Sequence, residues 1–344
     1  MANRFDFGNS KEHDEWLALV SEEILEPELP IIDAHHHLWV RQGAPYLLRE
    51  FVDDLACGHN VVATVFAECH SMYRRAGPER LRAVGESEFV GGIAAMSDSG
   101  AFGASQVARA MVGAVDMTLG AAVDEVFDAH LAASGGRFRG VRVSAAWHED
   151  ERLASIVDDP GYLERKDVRE AIGVLQRRGL SLDCWVYHSQ LAQVDDIARA
   201  FPDLVIVLNH TGVPILGGPN KGHEAGVFDV WREHMQQIAL HPNVYLKVGA
   251  LPIRASDRDD ANLPPSSADV CNAWRPWAEA SIEYFGAARC MFESNFPVHK
   301  NWCSYAVMWN AFKHLSKDAS DADKAALFFG AANRAYRMGL DGQH

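Results

Sequence analysis

Residues 31–40 read Ile-Ile-Asp-Ala-His-His-His-Leu-Trp-Val, an apolar start running into three consecutive imidazoles. A short apolar run of this kind, entered through Pro30, reads as a β-strand. Side chains alternate along a strand, which places Asp33, His35 and His37 on one face and His36 on the other. Two imidazoles spaced by one residue at the C-terminal end of a strand present two ring nitrogens to a single ion or substrate. The alternative is a polar cap on an ordinary strand, and the rest of the chain has to decide.

Seven further apolar runs follow, at 61–67, 89–95, 138–145, 181–187, 204–209, 243–249 and 289–293, and each reads as a strand. Amphipathic stretches separate them. In 163–178 the residues Leu163, Val168, Ala171, Ile172 and Leu175 form one helical stripe, with Gly179 as a stop signal. Segments 189–200, 226–240 and 271–285 also read as helices, and 97–120 as a loop plus helix. Strands alternating with helices imply parallel pairing through crossovers, and eight such units close into a (β/α)8 TIM barrel. An open doubly wound sheet is the competing architecture, but no GxGxxG fingerprint follows an early strand. Residues 1–28 are expected to form an extension packing a helix on the barrel, and 29–340 the single barrel.

The 344 residues are 48% hydrophobic and 23% charged, with a formal net charge of −15 from 32 basic and 47 acidic side chains. That charge argues against nucleic acid as a partner, since phosphate contacts need a basic surface. Six cysteines with no CxxC pair read as buried free thiols of a reducing compartment. No signal core or membrane-length apolar run is present, so a cytoplasmic protein with no membrane partner is expected. A small polar or anionic molecule is the expected partner, and a homo-oligomer is possible.

His210 closes LVIVLNH and so reaches the barrel mouth with His35 and His37, while His188 ends the fifth strand in an equivalent position, as a ligand, a substrate contact or a rim residue. Arg142 and Lys247 sit inside strands four and seven and Glu68 ends strand two, a set that reads either as substrate contacts or as an ion network in the barrel floor. Arg41, His70, Arg74, Arg75, His148, Arg254, His299 and Lys300 follow strand ends, with Tyr73 and Trp147 as wall residues. Together they suit an aromatic-derived or carboxylated substrate.

The stretches IIDAHHHLW, FRGVRVSAAW, FPDLVIVLNHTGVP, HPNVYLKVGAL and RCMFESNFPV, spread from residue 31 to about 300, resemble the amidohydrolase superfamily of metal-dependent hydrolases. The resemblance is to the branch of lactone hydrolases of the pyrone-dicarboxylate and fuconolactone types. It implies His35 and His37 as the first-strand pair, His210 as the sixth-strand histidine, and these three as ligands of one divalent ion, zinc or manganese, or as a metal-free site. The family usually ends strand eight with Gly-Ser-Asp before an aromatic residue and Pro, and that Asp shuttles the proton of water. Here the run is Glu293-Ser294-Asn295-Phe296-Pro297. An amide has no basic oxygen, so Asn295 cannot take a proton from water. Glu293, two residues earlier and about 6.6 Å deeper along a strand, is either a displaced base or a paired core carboxylate. The implied activity is hydrolysis of a lactone or cyclic ester. A non-oxidative decarboxylase and a non-catalytic binding barrel are the alternatives.

Overall fold

A computed structural model describes residues 11–41, 44–251 and 263–341; Arg254 lies outside them. Eight parallel strands run in chain order around one sheet: β1 Ile31–His36, β2 Val61–Ala67, β3 Gln106–Gly113, β4 Phe138–Ser144, β5 Ser181–Trp185, β6 Ile206–Leu208, β7 Val244–Gly249 and β8 Cys290–Glu293. The last strand returns to the first just beyond its end. His37 N–H donates to Phe296 O at 2.8 Å and Asn295 N–H donates to His35 O at 2.8 Å. This closure brings the histidine-rich end of β1 against the Ser294-Asn295 turn. The expected barrel is therefore the observed one, with helices between the strands as a parallel order requires.

The helix Lys166–Arg177 buries Val168, Ala171, Ile172 and Leu175, the stripe anticipated from spacing, and Gly179 follows with φ +62°. One strand assignment is corrected. Residues 89–95 lie within the helix Val84–Asp98, where Val90, Ile93, Ala94 and Ser97 are buried at helical spacing. The third strand is instead Gln106–Gly113, inside the segment expected to be loop plus helix. Local composition hid both: GGIAA has little preference for either state, and QVARAMVG breaks its two valines with Ala108, Arg109 and Ala110.

Ile32, Ala34, Ala63, Val65, Ala110, Val112, Val207 and Met291 pack with Phe329, Ala332, Ala335 and Tyr336 in one cluster, so the C-terminal helical segment plugs one end of the barrel. The outward strand residues pack under the helices in a second, larger cluster. The N-terminal helix Lys11–Leu17 and the chain after it lie against this outer layer. His13 Nε2 is 2.8 Å from Lys300 O, and Lys313 donates to Leu25 O and Glu26 O. Of the six cysteines, all free, only Cys57 is partly exposed. No described helix is long and apolar enough to cross a membrane.

The phase of β1 is a second correction. Asp33 does not share a face with His35. Its Oδ1 accepts from Ser294 N–H at 2.9 Å, and its Oδ2 from Ser294 Oγ at 2.6 Å and from Tyr305 OH at 2.9 Å, on an outer helix. The pairing of β1 with β2 slips between Asp33 and His36, and a slip of one residue reverses the alternation beyond it. Burial raises the Asp33 carboxyl to about 6 despite these three contacts.

Candidate active site

The slip turns His35 and His37 toward the mouth and His36 into the outer layer. His36 Nε2 meets Thr64 Oγ1 at 2.9 Å and its ring stacks on Phe51 at 4.3 Å. His210 and Asn295 lie two residues past β6 and β8, both with left-handed backbone, φ +55° and +52°. Such a conformation is costly for a residue with a side chain and turns it sharply at the strand end. Both side chains thereby join the first-strand pair.

The four groups interlock. His35 Nε2 lies 3.2 Å from His37 Nε2, and the rings of His35 and His210 are 4.6 Å apart. His37 Nδ1 lies 2.8 Å from Ala67 O. A carbonyl only accepts, so Nδ1 carries the proton and Nε2 keeps a lone pair. His210 Nδ1 lies 2.8 Å from Glu293 Oε1, which also accepts the His210 backbone N–H at 3.1 Å. Asn295 Oδ1 sits 3.2 Å from His37 Nε2, while its Nδ2 faces His299 Nδ1 at 3.2 Å. Burial, the largest cause at each, holds His35, His37 and His210 well below the usual histidine range, with the Arg142 charge acting the same way at all three and the Lys247 charge at His35 and His210. Neutral rings leave lone pairs free at neutral pH. His299, counted among the mouth cations, is buried and pushed down to about 4, so it too is neutral there.

Glu293 is fully buried, and burial raises its carboxyl to about 7. It grips His210 through Oε1, and its Oε2 lies 3.2 Å from His35 Nδ1. Gly249 opposite makes room for it: a Cβ there would lie 2.6 Å from Glu293 Cγ. Glu293 is thus behind the imidazoles, one layer below Asn295.

Lys247 is wholly buried and donates to Asp183 Oδ2 at 2.8 Å, with His35 Nδ1 3.1 Å away. Asp183 Oδ2 also accepts from Tyr336 OH at 2.8 Å and from Asn209 Nδ2 at 3.0 Å. Sequence reasoning passed over Asp183, Asn209 and Tyr336. An acid inside the apolar run LDCWV was the available signal. Arg142 Nη1 donates to Glu68 O at 3.0 Å, and Glu68 Oε1 accepts from Ser144 Oγ at 3.0 Å.

The remaining expected contacts make no hydrogen bond or ring contact with the histidine trio. Tyr73 is half-buried and lines, with His70, Val115 and Leu119, a separate cavity of about 740 Å³ between the loops after β2 and β3. Trp147 is half-buried, its N–H donating to Gln190 Oε1 at 2.9 Å. His188 is buried, and its Nδ1 accepts from Ile215 N–H at 3.4 Å.

The donor set suits a cation. His35, His210 and Glu293 offer ligand atoms within 4.8 Å of one another. His37 and His210 each anchor Nδ1 on an oxygen, the arrangement that leaves Nε2 as the ligating atom. His37 Nε2 and Asn295 Oδ1 are two acceptors facing each other, which a positive ion between them relieves. Imidazole and amide donors fit zinc or another borderline ion, with Asn295 standing in place of a strand-eight Asp and the Glu293 carboxylate lying behind the rings.

A family model described as amidohydrolase matches residues 32–338. The uncharacterized protein y4mH of Sinorhizobium fredii is 31% identical over 333 residues, covering 90% of this chain and 99% of that protein. An L-fucono-1,5-lactonase of Burkholderia ambifaria is 26% identical over 238 residues, covering 67% of this chain and 70% of its own. The crystal structure of an amidohydrolase from Burkholderia multivorans with bound zinc superposes with a TM-score of 0.66 at 22% identity, covering 89% of this chain and 99% of that one.

Proposed function

The chain belongs to the amidohydrolase family, and from that premise we propose that it opens a lactone or related cyclic ester of a polar small molecule by attack of water at the His35–His37–His210 mouth. The observation that carries this reading is the Glu293–His210 pair. Asn295 stands where the family keeps its proton-shuttling acid, and among the described residues the carboxylate in contact with the trio's rings is that of Glu293, whose Oε1 lies 2.8 Å from His210 Nδ1. The similarity to L-fucono-1,5-lactonase supports the lactone class.

His210 is the proton acceptor in this reading. Its Nδ1–H is held by Glu293, so Nε2 is the basic atom, and burial keeps it unprotonated until water approaches. The imidazolium formed is stabilised by the carboxylate behind it, and the same ring returns the proton to the leaving ring oxygen. Glu293, with no exposed surface, acts through His210. Asn295, its amide oriented by His299, positions the substrate by hydrogen bonding. Arg142 and Glu68 offer a donor and an acceptor on the β2–β4 side. A divalent ion would be held by His35, His37 and His210; it would take up the His210 Nε2 lone pair and would supply, in place of that base, polarisation of the carbonyl and a more acidic water.

The test is a panel of sugar-derived and carboxylated lactones assayed by acid release, with carbon dioxide measured in parallel and metal content determined before and after chelation. Acid without carbon dioxide supports the reading. Carbon dioxide from a carboxylated aromatic assigns the barrel to decarboxylation, and tight ligand binding without turnover of either class makes it a binding protein.

A further inference from the structure

The cavity of about 740 Å³ between the loops after β2 and β3 opens on the same end of the barrel as the histidine trio. Ala114 and Val115 in its wall directly follow the last residue of β3, and His70 and Tyr73 follow the end of β2. One side chain separates it from the mouth. Ala67 O holds His37, and the next residue, Glu68, accepts from Ser144 Oγ at 3.0 Å through Oε1 while its Oε2 lies 3.4 Å from His70 Nδ1 in the cavity wall. The Glu68 carboxylate is therefore the partition between the two.

The loop on the β2 side is tied in place. Glu86, buried in the helix Val84–Asp98, accepts the Cys69 N–H at 3.1 Å and the Ser71 N–H at 2.7 Å, and Arg74 N–H donates to Arg82 O at 2.9 Å. Gly85 lets that helix approach the loop backbone, since a Cβ there would lie 2.6 Å from Met72 O. Between these ties His70 and Met72 have left-handed backbone, φ +59° and +55°. Residues held this way persist only where their surroundings over-determine them, and they gather at ligand sites. Here they set the His70 and Tyr73 rings, 5.7 Å apart, against the cavity. The space is thus preformed, and its volume is that of a small-molecule site.

Its chemistry selects an uncharged guest. Tyr73, Pro78, Ala83, Ala114, Val115 and Leu119 give apolar surface. The charged groups beside them are matched already. Arg80 Nη2 donates to both oxygens of Glu125 at 3.0 Å, Arg82 lies 4.0 Å from Glu79, and Asp116 Oδ1 accepts from Thr118 N–H at 3.0 Å and Thr118 Oγ1 at 2.6 Å. An anion would have to break one of these pairs. An aryl group leaves all of them intact and takes apolar surface out of water.

We propose that this cavity is a second subsite of the mouth, and that it takes an uncharged aryl substituent of a substrate whose polar ring reacts at the trio. The proposal rests on the lactone reading for the reacting ring, but the occupant of the cavity is tested apart from it.

The test is a ligand-observed NMR titration with a polyhydroxylated tetrahydropyran, which has no carbonyl to react, and with its phenyl-bearing derivative. Wild type is expected to bind the phenyl derivative about ten-fold or more tightly than the parent, the scale of burying a phenyl group. Val115→Trp and Leu119→Trp each fill the cavity, and each is expected to abolish that preference while leaving the affinity for the parent unchanged. With a polyhydroxylated δ-lactone and its phenyl derivative as substrates, the same preference is expected in KM with kcat unchanged. Equal affinities in wild type, or a phenyl preference that survives in both variants, overturn the proposal. A phenyl preference in binding without turnover of either lactone supports the subsite and removes the lactone reading. Turnover of both lactones without a phenyl preference removes the subsite alone.

Discussion

Replacing Glu293 by Gln isolates what the buried carboxylate does. The amide has the same shape and keeps an oxygen for the two bonds Glu293 now accepts from His210, at 2.8 Å from Nδ1 and 3.1 Å from the backbone N–H. Only the charge is lost. A hydrogen bond to a charged group exceeds a neutral one by roughly 1–2 kcal/mol. An imidazolium and a carboxylate at this separation attract by about 6 kcal/mol at an effective dielectric constant of about 20, which sets a ceiling. A loss near 3 kcal/mol lies between, or about 100-fold in kcat. Because the imidazolium exists only on the way to the transition state, KM should move by no more than a few-fold. The wild-type rate should rise with pH through about 7, as the Glu293 carboxyl ionises, and the Gln variant should lack that rise. Stability should respond in the opposite sense. Burial raises the Glu293 carboxyl from 4.5 to about 7, so the native state binds more protons than the unfolded state between those values. Its stabilising contribution is complete below about 4.5 and is lost as pH rises through 7, by on the order of 3 kcal/mol. The Gln variant, measured by denaturant unfolding at pH 8, should therefore be at least as stable as wild type while turning over far more slowly. A Gln variant with near-wild-type kcat and an unchanged pH profile removes Glu293 from the mechanism.

Asn295→Asp places a carboxylate 3.2 Å from His37 Nε2 and should tighten zinc binding by about ten-fold in chelator competition; equal affinity means that Asn295 does not face the ion. Gly249→Ala puts a Cβ 2.6 Å from both Glu293 Cγ and Glu293 O, and should cost about 1–3 kcal/mol in denaturant unfolding along with much of the turnover. Wild-type stability in that variant contradicts the tight β7–β8 packing. Glu86, buried and accepting the Cys69 and Ser71 backbone N–H groups, has its carboxyl raised to about 8 by burial and then by the Glu68 charge. Wild-type stability should therefore fall as pH rises from about 5 through 8, and Glu86→Gln should flatten that slope; parallel curves for the two proteins refute it.

Much of this architecture is legible in local pattern. Short apolar runs mark seven of the eight strands, a stripe at about 3.6-residue spacing marks the helix Lys166–Arg177, and the alternation of strands with helices implies the parallel barrel. His35 and His37 at a strand end, His210 before a breaker, and Asn295 in place of an acid are all visible in single stretches of chain. The third strand was not, because Gln106–Gly113 is buried by its neighbours rather than by its own β preference.

What the sequence by itself determined is the set of chemical groups and the strand ends that carry them. What only the tertiary structure decided is their phase and their partners. The slip in β1 turns Asp33 outward to Tyr305 and His35 inward, and it depends on pairing with Val61–Ala67 rather than on any residue in IIDAHHH. Glu293 meets His210 across 83 residues, and Lys247 meets His35 across 212. Barrel closure sets those distances, and in a dry interior a shift of about an ångström decides which nitrogen carries a proton and which carboxylate is left without one.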